Sequence, residues 1–142
     1  MNSSHLKQAI TTCENGGVIA YPTEAVFGLG CLPLVKVSVY RILELKNRQV
    51  EKGLILVASS IDQLEDFVHF KNLSTIDQIQ DSWPGPVTWL VPAKNKAPTW
   101  LTGAHDTLAV RVSANPFINA ICKELGPIVS TSANPAGSKP AI

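Results

Sequence analysis

Charge is scarce in this chain of 142 residues: Asp, Glu, Lys and Arg make up 16% of it, against about a quarter in an average soluble protein. So lean a supply suggests that clustered charges serve a site. The net charge of +1 excludes a global field that would draw the chain to nucleic acid, and leaves open a local basic patch. Cysteine is also sparse. Cys13, Cys31 and Cys122 are odd in number, far apart and without a CxxC pair, which argues against a disulfide framework or a zinc site. Free buried thiols in a reducing cytosol are expected instead. No apolar run nears the ~20 residues of a membrane span, and the first 17 residues lack the apolar core of a signal peptide. A cytoplasmic protein with no membrane partner is the expectation. The histidines His5, His69 and His105 share no metal-ligand spacing and are expected at the surface. There is no Walker pattern, no Gly-x-Ser-x-Gly elbow and no aromatic RNA-recognition strand. Trp83, Trp89 and Trp100 are expected as core or loop anchors.

What the chain does have is a 45% hydrophobic complement, enough for one domain with its own core. Ser3 and Ser4 can cap a helix whose apolar positions, Leu6, Ala9, Ile10 and Cys13, recur at helical spacing until Gly16-Gly17 stops it. Residues 18–21 form a short apolar strand, and residues 22–30 a loop. A helix is predicted over about 35–46, a buried strand at LILVA after Gly53, and short helices at 61–68 and 74–82. Trp83-Pro84-Gly85-Pro86 is a rigid turn. Strands follow at 87–91 and 108–112, separated by a polar loop at 94–100. Asn115 caps a helix with Pro116 at its first position. A last strand at 127–130 runs into the loop STSANPAGSKP. Strands alternating with helices indicate an α/β domain around a twisted mixed sheet flanked by helices. The chain stops straight after a loop, so a single domain over 1–142 lacking its C-terminal part is expected.

Polar groups concentrate where apolar strands end, which is where open α/β sheets bind ligands. Four segments stand out. In YPTEAVFGLG, Thr23 offers a hydroxyl, Glu24 a carboxylate, and Gly28 and Gly30 a close backbone approach; an ordinary turn reads equally well. Lys46, Arg48 and Lys52 put three cations in seven residues. They could grip phosphate, or merely complement a helix end in solvent. Within the strand LAVRV, alternation sets Leu108, Val110 and Val112 on one face and Ala109 and Arg111 on the other. An arginine there needs a ligand, an acidic partner or water. Ser130, Thr131, Ser132 and Asn134 offer short neutral donors and acceptors for phosphate, ribose or carboxylate, or else a Ser/Asx turn.

Taken together, YPTEAVFGLG, LKNRxxxKGLIL, WPGPVTWLVP, LTG…LAVRV and STSAN, in that order from about residue 18 to 137, resemble the YrdC-like family, and its short bacterial single-domain form in particular. The resemblance implies a twisted α/β fold with a basic cavity. It implies synthesis of L-threonylcarbamoyladenylate from ATP, L-threonine and bicarbonate, with Mg²⁺ carried in by ATP and no tightly bound cofactor. The product would feed a downstream threonylcarbamoyl transferase complex that modifies tRNA. Position by position, it implies ATP-phosphate contacts at Arg48 and Lys52, with Lys46 completing the reactive cationic element. Thr107, Ser132 and Asn134 are implied nucleotide contacts. Thr23, Arg111 and Ser130 are implied threonine contacts.

The chain departs from the pattern at Ala25, where many relatives have threonine, and at Val57, where many have histidine. Gln49 and Ala136 depart as well, from proline and serine. An RNA-binding module for double-stranded RNA, tRNA or ribosome maturation is the alternative reading. A carbamoyl-adenylate domain of hydrogenase-maturation type and an inactive fragment are further ones.

Overall fold

The computed structural model describes residues 3–22, 27–47, 53–71 and 73–132. Six strands form one sheet: β1 (Ile19–Pro22), β2 (Phe27–Cys31), β3 (Ile55–Ala58), β4 (Trp89–Pro92), β5 (Thr107–Val112) and β6 (Ile128–Ser132), in the spatial order β1-β2-β6-β3-β5-β4. Only β3 and β5 run parallel; every other neighbouring pair is antiparallel. The sheet is therefore mixed, as expected. Its last strand is inserted centrally, between β2 and β3.

The helices are α1 (Ser3–Glu14), α2 (Lys36–Lys46), α3 (Ile61–Leu64), α4 (Ile76–Ser82), α5 (Thr99–Thr102) and α6 (Pro116–Leu125). Local signals explain their ends. Asn115 caps α6: its side-chain oxygen accepts from the backbone N–H of Phe117 at 2.9 Å and of Ile118 at 3.2 Å. Asn47 closes α2 in the left-handed region, at φ 51°.

Two differences from the sequence reading concern the site. Residues 27–30, within the expected loop 22–30, belong to strand β2. Ser130 to Ser132, expected to lead into a loop, end strand β6. In both places tertiary pairing overrides weak local preference. Gly28 and Gly30 pair on one side with Tyr21 and Ile19 and on the other with Ser132 and Ser130. A smaller difference is α5, a single helical turn inside what reads as loop.

The two faces of the sheet are finished differently. On one, α2 and the segments 61–71 and 73–83 cover Leu56, Ala58, Leu108, Val110, Val112 and Val129 in the main core. On the other, α1 and α6 cover Ile19, Tyr21, Val57 and Ile128 and form a smaller core. The second cover stops short of β4, whose outward Leu90 is 71% exposed. The three tryptophans pack against the main core, and their indole N–H groups donate to Val87 O, Ser82 Oγ and Pro33 O, all at 2.8 Å. All three histidines are exposed. No helix among the described residues is long and apolar enough to cross a membrane.

Candidate active site

Strand directions decide what can meet. β3 and β5 start at the same end of the sheet, because Ile55 pairs with Ala109 in parallel register. β4 and β6 run against them and finish there: Pro92 pairs with Thr107, and Val129 with Leu56. β2 opposes β6, so Gly28 lies beside Ser132, and Pro22, the close of β1, pairs with Phe27 at this end as well. One end of the sheet thus collects the close of β1, the start of β2, the entry to β3 at Gly53, the start of β5 at Thr107 and the close of β6 at Ser132. These are the strand ends that carry the polar segments.

A cavity of about 310 Å³ opens at this end, at the small end of the range for small-molecule sites. Gly53, Thr107, Thr131, Thr102 and His105 give it a polar rim, and Ile55, Leu90, Leu101 and Ala109 an apolar wall. Gly53 is fixed by geometry. Its φ is +75°, and a Cβ there would come within 3.1 Å of the Thr102 carbonyl oxygen.

Beside this cavity, on the half-covered face, lie Arg111 and Ser130. The alternation expected for β5 holds: Leu108, Val110 and Val112 are buried, and Thr107, Ala109 and Arg111 are half-buried on the other side. Continuing the β3–β6 register by one residue sets Ser130 beside Ile55, which pairs with Ala109. Arg111 pairs with Val57, one of the positions where the chain departs from the family pattern. Ser130 is 5% exposed, and its Oγ is hydrogen-bonded to the hydroxyl of Tyr21, itself 1% exposed. Burial pushes the Tyr21 phenol up, while the Ser130 bond and the charge of Arg111 pull it down. Arg111 stands on the same face of the sheet as the hydroxyl pair.

Lys46 closes α2 and is only 7% exposed. The solvated helix end that the sequence also allowed does not describe it. Helix α2 packs against β2 and α5, and α5 lies at the site end, where Leu101 O accepts from Leu54 N at 3.0 Å. Thr23, Arg48, Lys52 and Asn134 lie outside the described residues, as do Ala25, Gln49 and Ala136. Ser132 is placed by its backbone alone.

Gly28 and Gly30 serve packing. A Cβ on Gly28 would fall 2.6 Å from the Tyr21 ring, and one on Gly30 3.3 Å from it. The two glycines clear a bed for the tyrosine. Sequence reasoning missed Tyr21, although a tyrosine two residues before Thr23 and opposite a Gly-x-Gly strand is a usable signal. It also left His105, on the cavity rim, among the surface residues.

The three thiols are unsuited to nucleophilic work. All are buried and unpaired with one another. Burial pushes Cys13 up to about 11 and Cys31 and Cys122 up to about 12, so the reactive thiolate is suppressed. The site offers cations and hydroxyls, a set that binds and orients anions.

Known proteins share this arrangement. The family model for Sua5, YciO and YrdC proteins, described as "Telomere recombination", matches residues 11–142. The threonylcarbamoyl-AMP synthase of Xanthomonas euvesicatoria pv. vesicatoria is 54% identical over 139 residues, covering 96% of this chain and 74% of that protein. Its counterpart in Xanthomonas axonopodis pv. citri is 53% identical with the same coverage. Among solved structures, P. abyssi Sua5 complexed with L-threonine superimposes with a TM-score of 0.88 at 31% identity, over 99% of this chain and 42% of that one. E. coli YciO gives a TM-score of 0.80 at 25% identity, over 92% of this chain and 64% of that one. A match over nearly the whole chain, together with relatives more than half identical, settles membership: the chain belongs to the Sua5/YciO/YrdC family.

Proposed function

We propose that the chain is an L-threonylcarbamoyladenylate synthase. It joins ATP, L-threonine and bicarbonate, and the adenylate is passed on for threonylcarbamoyl modification of tRNA by a separate transferase complex in the cytoplasm. The observation that carries the reading is the gathering of five strand ends, with their hydroxyl and glycine groups, at one end of the sheet beside a cavity, and Arg111 farther along β5 on the half-covered face.

The chemistry balances without a protein nucleophile. The threonine amine and bicarbonate give a carbamate and water. A carbamate oxygen then attacks the α-phosphorus of ATP; that P–O bond forms as the bond to the β-phosphate oxygen breaks, and pyrophosphate leaves. Such a displacement needs charge neutralisation and alignment. Arg48 and Lys52 hold the phosphates, and Lys46, with Arg48, offsets the charge that builds during displacement. Thr107, Ser132 and Asn134 hold the nucleotide. Arg111 and Ser130 take the threonine carboxylate, and Thr23 lies against the amino acid. Mg²⁺ enters as part of the ATP substrate and shields its phosphates.

The test is incubation with ATP, bicarbonate and threonine, followed by mass analysis. Threonylcarbamoyl-AMP and stoichiometric pyrophosphate are expected, with serine a poorer substrate. ATP consumption that ignores threonine, or none at all, would sink the reading. So would a Lys46→Ala variant that releases pyrophosphate at the wild-type rate.

A further inference from the structure

We infer that Tyr21 is a positioning residue for threonine: its phenol donates to Ser130 Oγ and so turns the single Ser130 proton outward, toward the substrate carboxylate beside Arg111. The inference rests on the reading above, in which Arg111 and Ser130 receive threonine.

The geometry makes this pair unusual. Tyr21 and Ser130 are 109 positions apart in sequence and hydrogen-bonded in a buried environment. The tyrosine is held from three sides. Its ring lies against Gly28 and Gly30, where any Cβ would crowd it. It also packs against Phe117 of α6, with ring centroids 6.0 Å apart. A phenylalanine would satisfy all of that packing. What a tyrosine adds is a hydroxyl, which is costly to bury unless it is bonded. Ser130 is the hydrogen-bond partner assigned to that hydroxyl.

Valence then fixes the direction of the bond once substrate is present. A serine hydroxyl has one proton to donate and two lone pairs to accept with; a carboxylate can only accept. If Ser130 spent its proton on Tyr21, it would meet the carboxylate lone pair to lone pair. Donation from Tyr21 to Ser130 and from Ser130 to the carboxylate leaves every group satisfied, and each bond polarises the next. Arg111, on the same face of the sheet, supplies the cation that balances the incoming anion.

Threonine and ATP binding by Tyr21→Phe, Ser130→Ala and the double variant of the full chain, measured calorimetrically, tests the proposal. Tyr21→Phe should bind threonine about tenfold more weakly, equivalent to about 1.4 kcal/mol, and ATP within about twofold of wild type. The double variant should bind threonine no more weakly than Ser130→Ala alone, because one relay is broken once. Unchanged threonine affinity in Tyr21→Phe, or an equal loss for both ligands, would overturn the proposal and leave Tyr21 a packing residue. A second readout needs no variant. In the wild-type chain the Tyr21 hydroxyl proton should shift on addition of threonine and stay put with threoninamide, which lacks the carboxylate; no difference between the two would also overturn it. A wild-type chain that binds ATP but not threonine removes the reading of the site itself, and this inference with it. Wild-type threonine binding with an indifferent Tyr21→Phe removes the inference alone.

Discussion

One strand, β5, borders two different worlds. Its residues Leu108, Val110 and Val112 are sealed beneath the main core, while Thr107, Ala109 and Arg111, one step away along the same backbone, face the half-covered side. The sealed face is bulky, aliphatic and dry. The other carries small and polar groups beside the cover of α1 and α6: Gly28 and Gly30 on β2 and Ser130 on β6 are buried against Tyr21, while Ala109 and Arg111 on β5 are half-buried. Stability and binding are therefore divided by the pleat of the sheet. Period-two alternation lets each be altered almost independently of the other.

The sharpest way to break that division is to injure each face separately. Leu56, fully buried in the main core, should cost about 3 kcal/mol of stability when changed to alanine, through lost burial and a residual cavity. Denaturant unfolding measures it, and activity per folded molecule should be unchanged. Arg111→Gln should do the opposite. Unfolding should move by less than about 1 kcal/mol, while threonine-dependent turnover falls about 100-fold, or about 2.7 kcal/mol of transition-state stabilisation. If both variants lost stability and activity in parallel, the two faces would not be separate.

Gly28→Ala sharpens the comparison at the boundary. Its Cβ would meet the Tyr21 ring at 2.6 Å, so overpacking should cost about 1–2 kcal/mol. The displaced tyrosine should weaken threonine binding more than ATP binding. Here one substitution is expected to reach both faces.

A further effect is in pH. All three buried thiols have pKa values raised above the ordinary 9.0, to about 11 or 12. The folded state therefore holds these protons more tightly than the unfolded one, and stability is fully present below about pH 9. It falls as pH rises toward 11, while the unfolded thiols ionise and the folded ones cannot. Thermal unfolding from pH 8 to 11 should show this decline, and replacing Cys13 with alanine should make it shallower.

Much of the fold was legible from local signals. The Asn115-Pro116 cap, the Gly16 stop and the alternation in LAVRV each depend on near neighbours, and each is found where the sequence places it. β2 was not legible. FGLGC has two glycines in five residues, and only its neighbours β1 and β6 make it a strand. The same holds for Ser130 to Ser132, which look like loop until β2 pairs with them. The identity of Arg111 and Ser130 as site candidates could be read from the sequence. Their placement on one face of the sheet could not, because it depends on β6 being inserted between β2 and β3. Nor could the burial of Lys46, which follows from how α2 settles onto β2 and α5.

A second cavity, lined by Ser59, Ser60, Gln80 and Trp83, lies at the opposite end of β3 and β5, and it gives the central claim a built-in control. Backbone amide resonances can be followed while ATP and then threonine are added. The account predicts shifts at Gly30, Gly53, Thr107, Ala109, Arg111 and Ser130, with Ser59, Ser60 and Gln80 unmoved. Shifts confined to the second group would contradict it.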